Sequence, residues 1–332
     1  MGNIFVFGAG ASKYAGFALS ENLFPAIIKA IEEKQKTLKS SFFFAEELER
    51  VLNRLKLICP TFDKNIPSTF PTLEEYLSLC FTMQNFSSIK SSLYLEKGID
   101  DDLLRILTWY FWHSMTNLHT PVNYHDLFFK KYYKPKDLLI SFNYDWLLEE
   151  ELSKFSSGQG YYLHPISGKE RLVLKPHGSG RWIENTTEQE LMDLYGVKSL
   201  AQRKFTLIDS DGLLWELYEW NPKVQEKKFI AGIIPPVWFK GFNVIEQKSF
   251  DFFIDCWKRI LIELEDAEKV YIIGFSFAQA DFLGRMIFQW GLRTKGTDQV
   301  IFVNPSQDHF DSFKKIVPVA KHEKLTFEDF VK

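Results

Sequence analysis

The chain has 332 residues, 45% of them hydrophobic and 16% aromatic, and its 40 basic and 43 acidic residues give a formal net charge of −3. This composition excludes a disordered protein, and the absence of excess positive charge argues against direct nucleic-acid binding. No apolar run reaches the roughly 20 residues of a membrane helix, the start lacks the basic residues of a secretion signal, and the three cysteines fit a reducing compartment, so we expect a cytoplasmic protein.

The first predicted element is a buried strand, Ile4 to Phe7, which runs into a glycine turn. Glycines let the backbone turn sharply and approach an anion closely, and the N–H groups at the start of a following helix can bind a phosphate. Lys13 stands where the usual dinucleotide fingerprint has its third glycine, so this loop is a variant of it. We predict a cofactor-binding loop made of Gly8, Ala9, Gly10, Ala11 and Ser12.

A long helical stretch follows the loop. Hydrophobic periodicity predicts helices at Glu21 to Lys34, Phe44 to Ile58, Leu73 to Met83 and Asp101 to Leu118. Thr72 and Glu75 form a capping box for the third of these helices. We predict that residues 36–119 are a mainly helical inserted subdomain and that residues 1–35 and 120–332 form the core.

Strands and helices then alternate, which is typical of a parallel sheet with crossover helices. The fold class predicted is α/β, a Rossmann-like parallel sheet with helices on both faces and the helical insertion. Helices are predicted at Glu188 to Tyr195, Phe250 to Leu264 and Asp281 to Leu292, and a short strand at Phe205 to Ile208. Four further apolar runs end in polar residues, at Asn143-Tyr144-Asp145, His177-Gly178-Ser179, Gly274-Phe275-Ser276 and Asn304-Pro305. We call the polar residues at the end of each strand its tip. Because ligands of open parallel sheets bind outside the carboxyl ends of the strands, we expect these four tips and the first loop to share one crevice.

Each polar tip also has a simpler structural interpretation. Asp145 is placed to cap the helix after it, and a histidine before a glycine, such as His177, is typical of a turn. Their joint presence favours a site in which Asn143 orients a water or hydroxyl group and His177 accepts a proton. We predict that the run Glu149-Glu150-Glu151 is a solvated helix face, and that the cluster Trp109 to Trp112 is core or an oligomer contact.

A serine hydrolase is another alternative. Gly274-Phe275-Ser276-Phe277-Ala278 resembles a nucleophile elbow, and Asp308 with His309, or His322, would complete a triad. Ala278 stands in place of the motif's second glycine, and the first glycine loop would have no role, so we rank this hypothesis below dinucleotide binding.

In their order along the chain, the motifs resemble those of the sirtuin superfamily, specifically the bacterial sirtuin-like proteins of anti-phage defence. The family's Gly-Ala-Gly-x-Ser loop corresponds to Gly8 through Ser12, its Asn-x-Asp element to Asn143 and Asp145, and its His-Gly element to His177 and Gly178. Its later Gly-x-Ser and Asn-x-Pro-like elements correspond to Gly274 to Ser276 and to Asn304-Pro305.

The chain departs from deacylating sirtuins in two places. Those enzymes hold zinc with four cysteines, whereas this chain has Cys59, Cys80 and Cys256, and their longer cofactor loop is replaced by Lys13 to Ala18. We therefore expect neither a zinc module nor another metal.

The resemblance implies that NAD is the substrate and that Asn143 and His177 are the catalytic residues, which cleave NAD to nicotinamide and ADP-ribose. It implies cofactor-binding roles for Asp145, Gly274, Ser276 and Asn304, and an antiviral role through NAD depletion. It also implies a homo-oligomer, with a second defence subunit such as a HerA-type ATPase or an Argonaute-like protein, and no membrane contact. A non-catalytic sensor of NAD or ADP-ribose is the main alternative.

Overall fold

The computed structural model describes residues 2–38, 44–73, 75–79, 99–118, 120–155, 173–184, 207–209, 230–233, 247–277 and 281–332. The chain divides into two compact units. One comprises Met1–Phe17, Asn117–Gly178 and Phe250–Lys332, and the other comprises Ala18–Thr116 and Ser179–Ser249. The sequence-based domain boundaries, 1–35 with 120–332 and 36–119, stay a prediction.

The strands are β1 (Ile4–Phe7), β2 (Leu138–Ser141), β3 (Val173–Leu174), β4 (Gly178–Glu184), β5 (Leu207–Asp209), β6 (Ile230–Ile233), β7 (Val270–Ile273), β8 (Val300–Val303) and β9 (Lys321–Glu323). The α-helices are α1 (Leu23–Leu38), α2 (Ala45–Ile58), α3 (Ile99–Thr116), α4 (Tyr124–Lys131), α5 (Leu147–Phe155), α6 (Gln247–Asp266), α7 (Phe282–Gly291), α8 (Gln307–Lys314) and α9 (Phe327–Val331). Residues 75–79 are also helical.

The first unit is built on a six-stranded sheet with the strand order β3-β2-β1-β7-β8-β9. All of its strand pairs are parallel. Alternate strand residues face opposite sides: Val6 and Ile272 pack towards α6, α7 and α8, whereas Phe7 and Ile273 pack towards α4, α5 and α9. Helices therefore cover both faces, and the predicted Rossmann-like α/β fold is confirmed.

The second unit contains the predicted helices of the insertion. Helices α2 and α3 are joined by Arg50, whose Nε and Nη2 donate to Asp102 at 2.7 and 3.1 Å. The predicted capping box is confirmed, because the Thr72 and Glu75 side chains each accept from the other's backbone N–H. All four aromatic residues from Trp109 to Trp112 are buried. The unit also holds a three-stranded sheet of order β5-β4-β6, with β5 at the place of the short predicted strand.

Several elements were not predicted from the sequence. Helices α4, α8 and α9 and strand β9 were missed in the first unit, and strands β4 and β6 were missed in the second sheet. The predicted helix at Glu188 to Tyr195 and the end of the one at Met83 lie outside the described residues. Within the described segments no helix is both long enough and apolar enough to cross a bilayer.

Candidate functional site

The carboxyl ends of five parallel strands stop at one level of the sheet. Phe7 at the end of β1 is paired with Ser141 of β2 and with Ile273 of β7, and Ile273 is paired with Val303 of β8. β3 ends one pair earlier, at Leu174 beside Ile140. At about 4.8 Å per strand spacing, the five tips span roughly 19 Å along one edge.

The order of the strands reverses between β1 and β7. From β1 the chain adds β2 and β3 on one side, and then returns to add β7, β8 and β9 on the other. Such a switch point is where open α/β sheets bind ligands. The loops that flank it are the two glycine segments predicted from the sequence, those after β1 and β7.

These two loops lie backbone against backbone. Gly8 N–H donates to Ile273 O, and Gly10 N–H donates to Gly274 O, both at 2.9 Å. A Cβ on Gly10 would lie 2.9 Å from Gly274 Cα, and one on Gly274 would lie 2.4 Å from the nitrogen of Ala11. The contact between the two loops therefore requires glycine at both positions.

Most N–H groups of the first loop already bond to the protein. Besides those of Gly8 and Gly10, the N–H of Ala11 donates to Gly8 O and that of Ser12 to Ala9 O. Ala9 is exposed and Gly10 is half-buried. A ligand would therefore meet this loop at Ala9 and Gly10, and the assignment of the whole loop to cofactor binding stays a prediction.

Asn143, two residues after β2, ties its own tip to the first loop. Its Nδ2 donates to Gly8 O and to Ser12 Oγ, each at 3.0 Å. Because the Gly8 carbonyl can only accept, this contact fixes which end of the amide faces the loop. The amide Oδ1 accepts no hydrogen bond from any described residue, and therefore it remains an acceptor for a ligand or a water.

A cluster of buried charged side chains lies next to the turn that contains Asn143. The Ser12 hydroxyl also lies near the Asp145 carboxylate, whose Oδ1 accepts from Leu147 N–H as the predicted helix cap. Lys175, the residue after β3, places its Nζ 2.5 Å from Asp145 O and 2.6 Å from Glu149 Oε1. The side chains of Lys175 and Glu149 are both fully buried.

Burial dominates the electrostatics of the two carboxyl groups. It raises the pKa of Asp145 and of Glu149 above their ordinary values, and the Lys175 ammonium opposes the rise in both. The cluster connects the tips of β1, β2 and β3, since Ser12, Asp145 and Lys175 follow or end those three strands.

The prediction that Glu149-Glu150-Glu151 is a solvated face was wrong for two of its residues. Glu149 is 0% exposed and Glu151 7% exposed, because α5 turns them inward with Leu148 and Leu152. Sequence analysis also gave Lys175 no role. A lysine that ends a run of buried apolar residues was the available signal, because such a charge needs a buried counter-ion.

His177 follows β3 and lies next to the residue that precedes Asn143. Its ring is edge-on to Phe142 at a centroid distance of 5.1 Å, and Trp257 lies 5.8 Å away. Its Nε2 is 3.4 Å from Oδ2 of Asp281, with both side chains at least 95% buried. Asp281 was predicted from the sequence only as the start of a helix.

The remaining predicted site residues are placed at the tips of β7 and β8. Asn304 donates from Nδ2 to Phe275 O at 3.1 Å and accepts from Ser306 N–H at 2.9 Å, so its side chain ties the two tips together. Gly274 adopts a left-handed φ of 63°. Ser276, three residues after the end of β7, is exposed. Their contacts with a phosphate or ribose stay predictions.

The hydrolase alternative gains no support from this arrangement. His322 directs Nε2 to Asn304 O at 2.7 Å and stacks on Phe310 at 4.3 Å, while His309 is exposed on α8. Neither histidine is hydrogen-bonded to Ser276 among the described residues. Within the same residues, no group of three or more His, Cys, Asp or Glu side chains is arranged to hold a metal ion.

Comparison with models of known protein families finds no match, and comparison with curated protein sequences finds none either. Among solved structures, the chain is similar to a Sir2 homologue in complex with NAD, with 15% identity and a TM-score of 0.42 over 99% of this chain and 86% of that one. It is also similar to a variant Sir2 homologue with ADP-ribose (14%, TM-score 0.40, 99% and 88%) and to Sir2Tm bound to a propionylated peptide (12%, TM-score 0.37, 99% and 90%). At such low TM-scores, the assignment of the site depends on the chain's own residues.

Proposed function

We propose that this protein is a sirtuin-like NAD glycohydrolase that cleaves NAD to nicotinamide and ADP-ribose. The observation that carries the proposal is that three strand tips come together at the carboxyl edge of the sheet beside its switch point. Asn143 hydrogen-bonds Ser12, Asp145 lies near the same hydroxyl, and His177 packs against Phe142, the residue before Asn143. The same residues carry the ordered motifs of the sequence.

The polar groups available fit the requirements of this reaction. The nicotinamide of NAD is cationic and leaves as a neutral molecule, so its departure needs no proton donor. A water must be oriented towards the ribose carbon, and its proton must be accepted. The acceptor Oδ1 of Asn143 is held by the two hydrogen bonds of Nδ2 and suits the first task.

His177 suits the second task. A neutral imidazole accepts the proton of the attacking water, so that NAD and water give nicotinamide, ADP-ribose and one proton. Its surroundings are the rings of Phe142, Tyr144 and Trp257, which exclude water from the ring faces. Asp145, Gly274, Ser276 and Asn304 would contact the rest of the dinucleotide.

The test is the release of nicotinamide from NAD by the purified full chain, measured by chromatography. We expect Asn143→Ala and His177→Ala each to lower the rate by about 10²-fold or more, the range of a positioned acid–base group. His309→Ala is the matched control, because His309 is exposed and lies on α8, and its activity should equal that of the wild type. Full activity in either site variant would remove the assignment.

The NAD or ADP-ribose sensor is the alternative, and the same assay separates the two. A sensor binds NAD but releases no nicotinamide from it. The defence role, the homo-oligomer and the second subunit of the HerA or Argonaute-like kind rest on the motif resemblance. The defence role is tested by challenging cells that express the wild type or His177→Ala with phage and measuring NAD, which only the wild type should deplete.

A further inference from the structure

We propose that Asp281 is a positioning residue that sets the tautomer and the orientation of the His177 imidazole. This inference rests on the proposed function, because it assigns to Asp281 the support of the proton acceptor of that reaction. The contact between Asp281 and His177 joins the start of helix α7 to the tip of β3, two elements that are distant in sequence.

The first observation is the contact itself. Asp281 Oδ2 lies 3.4 Å from His177 Nε2, and the two side chains are 4% and 5% exposed respectively. Buried charges are rarely left without a partner, and a carboxylate next to a ring nitrogen favours a proton on that nitrogen. Nε2 is therefore the protonated nitrogen, and in the neutral ring Nδ1 carries the lone pair.

The second observation is that Asp281 cannot turn away freely. It is the N-cap of α7, and its Oδ1 accepts from the backbone N–H of Gly284 at 3.2 Å. One oxygen is thus committed to the helix start, which directs the other towards His177.

The third observation is the space made for this carboxylate. A Cβ at position 284 would lie 2.3 Å from Asp281 Oδ2 and 2.8 Å from its Cγ. Gly284 lies within the first turn of α7, where glycine is a poor helix former. The glycine is accounted for by the room that Oδ2 needs in order to face the imidazole.

The chemical consequence follows from the proton balance of the reaction. When Nδ1 accepts a proton, the ring becomes an imidazolium with both nitrogens protonated. The Asp281 carboxylate then faces a full positive charge and stabilises it, while its own protonation state is unchanged. Asp281 therefore supports the proton transfer without touching the substrate.

The decisive variant is Asp281→Asn. The asparagine oxygen keeps the helix cap, so its NH₂ group must face His177 and donate to Nε2, which moves the ring proton to Nδ1. In protein labelled with ¹⁵N-histidine, the ring signals of His177 are assigned by comparison with His177→Ala among the seven histidines. We expect them to change from the Nε2–H to the Nδ1–H tautomer, and kcat to fall by about 10²-fold while KM changes less than about threefold.

Gly284→Ala provides a second test that keeps both groups. Alanine favours the helix but its Cβ displaces Oδ2, so we expect loss of the single Nε2–H tautomer and a similar fall in kcat. Thr326→Ala is the matched control. It removes the N-cap of α9, on the opposite face of the sheet, and should leave the His177 signals and kcat unchanged.

An unchanged tautomer in Asp281→Asn overturns the proposal, and so does a changed tautomer with wild-type kcat. If the wild type released no nicotinamide, the NADase hypothesis would fall, and the ring signals alone would still decide whether Asp281 sets the state of His177.

Discussion

His125 is a single buried side chain on which the acid stability of the first unit depends. It is 1% exposed, its ring lies 4.9 Å from that of Phe327, and its Nδ1 is 2.8 Å from the hydroxyl of Tyr14. Burial lowers the pKa of His125 to about 3, because a charged imidazolium would lose its hydration there. The ring is thus neutral in the folded protein at any physiological pH.

This depressed pKa predicts a loss of stability in acid. Between pH 6.5 and about 3 the unfolded chain binds a proton at His125 that the folded chain does not, so stability rises with pH across this window. One group contributes a slope of about 1.4 kcal/mol per pH unit. We expect His125→Gln to reduce the slope of the unfolding free energy in this window by about that amount, measured by urea titration at successive pH values. Equal slopes in both proteins would contradict the buried neutral state.

Only part of the site could be predicted from single residues. Asn143 and His177 carry polar groups directly after apolar runs, which is a signal that sequence contains. Lys175, Glu149 and Asp281 gain their roles from contacts across 26 to 104 positions of the chain, and no local pattern encodes such contacts. Glu149 in particular stands in a run of acidic residues that is typical of a solvated helix face, whereas in the structure it is buried and paired with Lys175.

The loop after β7 depends on a glycine for two reasons at once. Gly274 has a φ of 63°, and its missing Cβ leaves room for Ala11 and Gly10 of the opposite loop. Gly16, with a φ of 86°, has the same backbone requirement but nothing within 4 Å of where a Cβ would be. Substitutions at Gly16 and at Gly274 can therefore be compared to separate the cost of backbone strain from the cost of disturbing the packing between the loops.

We expect Gly16→Ala to cost about 1–2 kcal/mol, the strain of a left-handed residue with a Cβ. Gly274→Ala should cost clearly more, because its Cβ would also push the two loops apart at the switch point. Urea denaturation of both variants measures the difference. Equal costs would show that the contact between the loops adds nothing to stability.

The strands and helices differ in how well the sequence predicted them. Strand β1 has the predicted bounds, and β7 and β8 are the predicted apolar runs that lead into Gly274 and Asn304. Each of the three is a run of four apolar residues in the interior of a parallel sheet that helices cover on both faces. β9 was missed since it is an edge strand with partly exposed, polar residues. α9 has only five residues, and the signal that was available is Thr326, whose side chain caps it.

For the molecule as a whole, the alternation of strands and helices predicted a parallel sheet but not the strand order. The position of the switch point depends on β7 pairing with β1 after the chain has left the sheet at β3, a long-range choice that periodicity does not contain. That pairing is what brings the second glycine loop against the first and completes the candidate site.

A dinucleotide that contacts several tips should stabilise the sheet as one unit. In His177→Ala, where NAD is not consumed under the proposed mechanism, NAD at about 100 times its Kd should add about 2.7 kcal/mol and raise the unfolding temperature by a few degrees. Hydrogen exchange should show protection at the loops after β1, β2 and β7 together, since these loops bond to one another through Asn143 and Gly10. Protection confined to one loop, with no rise in unfolding temperature, would mean that the tips do not share a ligand.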